Sequence, residues 1–498
     1  MGQALGGRDV QIGHLIRRSA RHYGERPCLT EGERRVSYLD FDRATDRVGN
    51  ALHKRGLRPG ERVAVLLPNG IDCLVAYYAL AKAGLVRVTL NARETEQDHA
   101  HKLEDSGARV LISASRTELP VETIGVEELR DAMGSGPADP CAVDRALDAP
   151  YRLGYTGGTT GRPKAVVLTT RGELAELSAF LMDLVPDLGP ESIFLHAAPI
   201  AHASGAFFLP CIARGAQSVV MPKFDPGEFL ALAERTAASH TFLVPTMLAM
   251  VLVDPELQTR KTRLQRIAYG ASPIAPSVLR RAEQRFGRVF AQTYGQAESP
   301  MVITYLGPTD HERTGSCGRP YTFVEVGVVD AEDRFLPPGE VGEIVCRGPQ
   351  LMQGYWNRPE ETARALRGGW LHTSDLGRMD EEGFFYIVDR KNDMLISGGY
   401  NVYPREVEDV LLVCDGVIEA AVVGIPDETW GDRVHAVVAG KPGLEARAVL
   451  EFASARLAGY KRPKSVDVWP ELPKSGASKI LRREIRERVV TALKDAPR

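Results

Sequence analysis

Across its 498 residues the chain has no Cys-x-x-Cys pair, no surplus of either charge and no uninterrupted apolar run long enough to cross a bilayer. The seven cysteines are scattered and odd in number, a pattern that argues against a disulfide framework and fits a reducing cytoplasm best. Sixty-two basic and sixty-five acidic residues leave a formal charge of -3, so nothing global attracts nucleic acid or an anionic membrane, and any anion must be met locally. The two most apolar stretches, 73–90 and 242–253, are broken by Lys82 and Arg87 or contain Pro245, and read as buried core rather than as membrane spans. The first residues have no apolar h-region, and Gly6 stands where a myristoylation signal wants Ser or Thr, so neither export nor lipidation is expected. Internal repeats, heptads and low-complexity tracts are missing too. His99 and His101 lie two apart on a helical pattern, where their imidazoles diverge, which makes a metal site there improbable.

The length calls for two to four domains, and an apolar content of 44% allows large cores. Val- and Ile-rich runs at 62–68, 108–113, 192–197, 218–221 and 265–269 predict buried strands. Helical patterns at 71–83, 229–238 and 275–286 alternate with them, which predicts mainly parallel sheets covered by helices. The Gly-, Ser-, Pro- and Asp-rich segment 131–149 reads as a linker. From Tyr321 the texture changes. Runs at 323–329 and 340–347, separated by Pro337-Pro338-Gly339, predict hairpin strands of a smaller, mainly β unit. After 384–389 another unit begins, with helix 404–412, strands 417–424 and 433–439, helix 446–457 and a basic tail from Lys474.

The chemistry concentrates in a few segments. Between Tyr155 and Val166 the chain reads Tyr-Thr-Gly-Gly-Thr-Thr-Gly-Arg-Pro-Lys-Ala-Val. Gly157, Gly158 and Gly161 let backbone N–H groups approach an anion, Thr156, Thr159 and Thr160 add hydroxyl donors, and Lys164 supplies a point charge. That composition suits a polyphosphate. Pro163 and Ala165 break the Walker A pattern, so a kinase or GTPase loop is disfavoured; in isolation the segment also suits a flexible surface loop. Gln292-Thr293-Tyr294-Gly295-Gln296-Ala297-Glu298-Ser299 follows a predicted strand at what reads as a βα connection. There Tyr294 suits stacking on a purine and Glu298 suits a hard Mg²⁺, although a lone glutamate at a helix start reads equally as solvated. Asp375 is placed to accept both hydroxyls of a ribose, or is merely a strand-end aspartate in a turn. The charged run 389–393 leads into Ser397-Gly398-Gly399 at an apparent domain boundary, as a hinge would. Lys479 follows a Gly/Ser loop and suits a mobile cation, though a solvated lysine on a basic helix has the same look.

The order and spacing of these segments, from Val36-Ser37-Tyr38-Leu39 and Arg62-Val63-Ala64 to Lys479, resemble the adenylate-forming superfamily of acyl-CoA synthetases, adenylation domains and firefly luciferase. The resemblance covers nearly the whole chain. It implies an α/β and α+β multidomain protein. A large N-terminal domain, 1–389, would hold two helix-covered αβ sheets plus a β-barrel-like subdomain, and a small mobile C-terminal α+β domain would span 390–498. It further implies that Thr156 to Lys164 is the phosphate loop, that Gly270-Ala271-Ser272 is the adenine-binding turn, and that Tyr294 and Gly295 flank the adenine. Glu298 would hold Mg²⁺, Asp375 and Arg390 the ribose, Asn392 would be the hinge, and Lys479 the adenylation lysine. His202 matches the histidine or aromatic lining the acyl site, although alone it reads as a satisfied core histidine. Phe207, Phe242, Val244, Thr246 and Gly295 would complete an acyl pocket, and Ser397, Gly398 and Gly399 a tunnel for coenzyme A. Gly157, Ala165, Ala297, Asn392 and Ser478 depart from the usual residues of this family. Loss of a hydroxyl at Ala297 removes one phosphate hydrogen bond, of about 1.5–3 kcal/mol if unreplaced, which weakens activity at most.

The implied reaction is activation of a carboxylic acid by ATP to acyl-AMP and pyrophosphate, then transfer to the thiol of coenzyme A. No amine-binding aspartate announces itself, so an apolar or aromatic acid is favoured over an amino acid. Two other readings compete: a free-standing adenylation enzyme that loads the phosphopantetheine of an acyl carrier protein, and a non-catalytic sensor of nucleotide or acyl-adenylate. The first is mildly disfavoured because no fused carrier domain follows Lys479, the second because Glu298 and Lys479 are retained. The expected location is cytoplasmic, as a monomer or homodimer.

Overall fold

The computed structural model describes residues 10–495 apart from 116, 137, 142, 157–162, 254–259, 392, 398–399, 428–429 and 475–479. Among the described residues the strands build four sheets. The largest runs from Arg319–Pro320 through Ser299–Leu306, Phe290–Gln296, Arg266–Gly270, His240–Leu243, Ile193–His196 and Gln217–Val220 to Pro27–Glu31 and Arg34–Ser37. Its interior pairs are parallel and its edges antiparallel. A second sheet orders Gly354–Tyr355, Lys164–Thr169, Pro150–Thr156, Val86–Thr89, Arg62–Leu66, Val110–Ser113 and Glu122–Gly125. Helices cross between parallel strands, as the βα alternation requires.

The Ile71–Lys82 helix is buried at almost every position, which explains an apolar run without a polar face. Lys82, which interrupts that run, keeps its charge inside by pairing with Asp42 at 2.5 Å and Asp46 at 3.0 Å. The stretch Pro245–Val251 starts on the proline that breaks the other apolar run, a position where a missing N–H costs nothing. None of the described helices is long and apolar enough to cross a membrane.

The β unit after Tyr321 is a four-stranded antiparallel sheet in the order Glu325–Val329, Gly342–Arg347, Leu371–Met379, Phe385–Arg390, not a closed barrel. The C-terminal unit pairs Tyr400–Val402, Leu395–Ser397, Gly431–Gly440 and Val417–Asp427, with Ser465–Trp469 added in parallel to Gly431–Gly440. The helices Pro404–Leu411 and Ala446–Ser454 share one apolar core with that sheet, separate from the cores of the N-terminal region. The expected boundary at 389/390 falls on the last two residues of the Phe385–Arg390 strand. One expected linker is shorter than predicted: Val126–Gly134 is a helix that buries Leu129, so irregular chain begins after it rather than at 131.

Candidate active site

The glycine-rich loop joins two antiparallel strands, with Tyr155 opposite Ala165 and Thr156 opposite Lys164. Gly157, Gly158, Thr159, Thr160 and Gly161 lie outside the described residues. Lys164, at the loop's exit, forms an ion pair with Glu361 at 2.9 Å and sits 5.4 Å from the centre of the Tyr355 ring. Tyr355 belongs to Gly354–Tyr355, an edge strand paired to Lys164–Thr169, so loop exit and ring are held by the same ladder.

The structure corrects the setting of Glu298. No βα connection or helix follows Gln296; the chain reverses into Ser299–Leu306, and Gln296 pairs with Ser299. The reason lies at Gly295, where a Cβ would come within 2.5 Å of the Met301 backbone, and Met301 itself has φ 55°. Glu298 is consequently no solvated helix-start residue. It is 9% exposed at a hairpin tip, and the Tyr355 hydroxyl donates to its Oε1 at 2.8 Å. Burial and this carboxylate push the Tyr355 phenol above its ordinary pKa, so it remains a donor. A single buried carboxylate fits Mg²⁺, which keeps most of its shell for water and phosphate oxygens.

The same hairpin carries Tyr294. Its hydroxyl donates to Asp375 Oδ2 at 2.5 Å, and burial together with the Asp375 charge raises its pKa well above the ordinary phenol value. Asp375 follows Ser374, whose φ of 59° turns the strand so that the carboxylate faces Tyr294, while Thr373 Oγ1 accepts from the Asp375 N–H at 3.1 Å. Arg390 lies opposite Asp375 on the neighbouring strand, 3.6 Å away from Nε to Oδ1. The turn expected to hold adenine follows the Arg266–Gly270 strand; Gly270 has no room for a Cβ, which would sit 2.4 Å from the Thr293 carbonyl, and Ala271 takes φ 70°. Ser272 is half-buried beside it.

The expected acyl residues divide. Phe207 and Phe242 are fully buried with ring centres 5.4 Å apart, inside an aromatic stack that also holds Phe180 and Phe194. Val244 is half-buried and Thr246 exposed at the start of Pro245–Val251. His202 is not the satisfied core histidine that it resembles in isolation: it is exposed, and its Nε2 lies 2.8 Å from Asn91 Nδ2. His99 and His101 instead reach the carbonyls of Asn91 and Pro163. Asn392, Gly398, Gly399 and Lys479 lie outside the described residues. Of the described residues next to them, Ser397 is buried and Lys474 pairs with Ile480.

Sequence reasoning missed Tyr355, Glu361, Asn91 and Glu343. Tyr355 stands in Gly354-Tyr355-Trp356, which carries no motif of its own, and its pairing beside Lys164 brings its hydroxyl to Glu298. Glu343 accepts from the Ser374 N–H at 3.0 Å and pairs with Lys391 at 3.1 Å, so it fixes the turn before Asp375 from another strand.

A family profile described as AMP-binding enzyme matches residues 16–356, and one described as AMP-binding enzyme C-terminal domain matches 406–479. The chain is 37% identical over 513 residues to the medium/long-chain-fatty-acid–CoA ligase FadD8 of Mycobacterium tuberculosis, covering 96% of this chain and 90% of that one. It is 37% identical to the feruloyl-CoA synthase of an Amycolatopsis species, covering 97% and 99%. It is also 35% identical to the fatty acid–[acyl-carrier-protein] ligase ScoC of Streptomyces coeruleorubidus, covering 96% and 97%. Among solved structures, ATP-bound MatB from Rhodopseudomonas palustris overlays with a TM-score of 0.89 at 28% identity, over 97% of this chain and 100% of that one.

Proposed function

The chain belongs to the AMP-binding enzyme family, the AMP-forming acid–thiol ligases, and on that footing we propose how it activates an acid and which acid it takes. An apolar or aromatic carboxylic acid is converted with ATP to an acyl adenylate and pyrophosphate, and the acyl group then passes to the thiol of coenzyme A. The observation that carries this reading is the hairpin of Phe290–Gln296 and Ser299–Leu306. Within five residues it presents Tyr294 bonded to Asp375 and Glu298 bonded to Tyr355, a nucleoside end and a phosphate end.

In the first step a carboxylate oxygen bonds to the α-phosphorus while the bond to pyrophosphate breaks, and repulsion between anions is the obstacle. Lys164 and the loop through Thr159 hold the terminal phosphates. Asp375 accepts the ribose hydroxyls, with Arg390 beside it, while Tyr294 and the turn Gly270-Ala271-Ser272 frame the base. Lys479 places positive charge between carboxylate and α-phosphate. Glu298 would hold Mg²⁺, which neutralises phosphate charge when bound. In the second step the thiol sulfur attacks the acyl carbonyl, its proton goes to solvent, and AMP leaves. A turn of 390–498 about Asn392 withdraws Lys479 and brings Ser397, Gly398 and Gly399 to the site. His202, Val244, Thr246 and Gly295 border the acid, backed by the buried Phe207 and Phe242.

The acid class draws support from relatives whose names specify fatty and ferulic acids. Transfer to a carrier protein is a second reading, favoured by the relative named as an acyl-carrier-protein ligase. Seven free, buried cysteines suit a reducing cytoplasm. Exchange of labelled pyrophosphate into ATP across a panel of acids tests the first step, and thioester yield with coenzyme A against carrier protein tests the second. A protein that exchanges with no acid yet binds ATP would instead be a sensor.

A further inference from the structure

The helix Pro404–Leu411 has no cap of its own: its N-cap residue, Tyr403, makes no side-chain hydrogen bond to the first turn. The missing acceptor comes from the other side of position 392. Asp389, 3% exposed at the end of the Phe385–Arg390 strand, accepts from the Arg405 N–H through Oδ2 at 2.8 Å and from the Arg390 N–H through Oδ1 at 2.7 Å. Carboxylates are favoured at such a position by the exposed N–H groups and the helix dipole. Arg482 closes the same corner, bonding Asp393 at 2.8 Å and Glu408 at 2.9 Å, and its charge faces Asp389. A buried carboxylate is worth its desolvation only while these donors stay in place.

We propose that Asp389 is a positioning residue that latches 390–498 in the adenylate-forming arrangement by capping the Pro404–Leu411 helix across the hinge. This rests on the ligase reading and on Asn392 as pivot. Asp389 precedes the pivot and Arg405 follows it, so any turn about 392 separates them. The chain with this bond in place overlays more closely on the ATP-bound form of a relative than on its apo form, with TM-scores of 0.89 and 0.78. Asp389 therefore favours the first step and opposes departure to the second.

Asp389→Ala and the isosteric Asp389→Asn in the full chain provide the test. Asp389→Ala should slow pyrophosphate exchange by roughly 5- to 30-fold, the population change set by losing an interaction of this size, and Asp389→Asn by less. Thioester formation from supplied acyl adenylate should stay within about twofold of the parent. Tryptic cleavage after Lys391, which needs no substrate, should quicken in Asp389→Ala. Equal loss in both half-reactions, or unchanged exchange and cleavage, would overturn the latch. A parent protein that exchanges pyrophosphate with no acid would defeat the ligase reading instead, while the cleavage rates would still report on the latch.

Discussion

Replacing Tyr355 with phenylalanine removes one oxygen and little else. The ring remains to meet Lys164, 5.4 Å from its centre, and the main-chain pairing to Val166 is untouched. What disappears is the 2.8 Å bond to Glu298 Oε1. Glu298 is only 9% exposed, so water replaces that donor poorly. A hydrogen bond to a charged group of this kind contributes about 1.5–3 kcal/mol. If Glu298 must be held in one orientation during adenylate formation, that energy appears in the barrier as a roughly 10- to 150-fold slower first step. Pyrophosphate–ATP exchange measured over a Mg²⁺ series should show both the slower rate and a higher Mg²⁺ concentration at half-maximum. Thioester formation from supplied adenylate should be spared. Exchange within twofold of the parent, with the same Mg²⁺ dependence, would refute the claim that Tyr355 orients Glu298.

Asp375→Asn keeps the shape but weakens the acceptor that Tyr294 uses and that the proposed ribose contact requires, so KM for ATP in pyrophosphate exchange should rise by about tenfold; an unchanged KM would remove Asp375 from the nucleotide site. Lys479→Ala should abolish adenylate formation yet leave thioester synthesis from supplied acyl-AMP, and equal loss in both would refute that division of labour. Asn392→Pro should stiffen the pivot, sparing the first step and damaging the second, as separate half-reaction assays would reveal. Burial, with Glu173 beside it, pushes the Glu176 carboxyl up to about 8. Its folded value lies above its unfolded one, so its contribution to stability is complete below about pH 4.3 and is lost as pH rises through about 8. Chemical denaturation at pH 6 and pH 9 should show a larger decline in the parent than in Glu176→Gln; equal declines would contradict the shift.

Much of the candidate site was legible because its residues come in ordered, chemically unusual segments. Glycines and threonines ending in Lys164, a tyrosine four residues before Glu298, and Asp375 followed by Arg390 within the β unit keep their order whatever the tertiary path. The resemblance to adenylate-forming enzymes gave these positions roles that their composition could not. Helix and strand cores were legible too, from the largely apolar Ile71–Lys82 to the continuous apolar runs of the Val417–Asp427 and Gly431–Gly440 strands. What escaped depended on contacts between distant segments. The reversal after Gln296 follows from how closely Gly295 approaches Met301, and Asn91 meets His202 across 111 positions. No sequence pattern reveals that Phe207 and Phe242 are fully buried in a stack with Phe180 and Phe194.

The crowding at Gly295 constrains how such a protein can change its diet. Any side chain at 295 would strike the Met301 main chain, and the strand that had to yield is the one rooted at the tip bearing Glu298. If Gly295 borders the acid as proposed, narrowing the pocket from this side would also disturb Glu298. If the proposed acyl pocket is right, laboratory selection for shorter or longer acids should leave 295 untouched and gather its substitutions around the half-buried Val244 and the exposed Thr246 and His202.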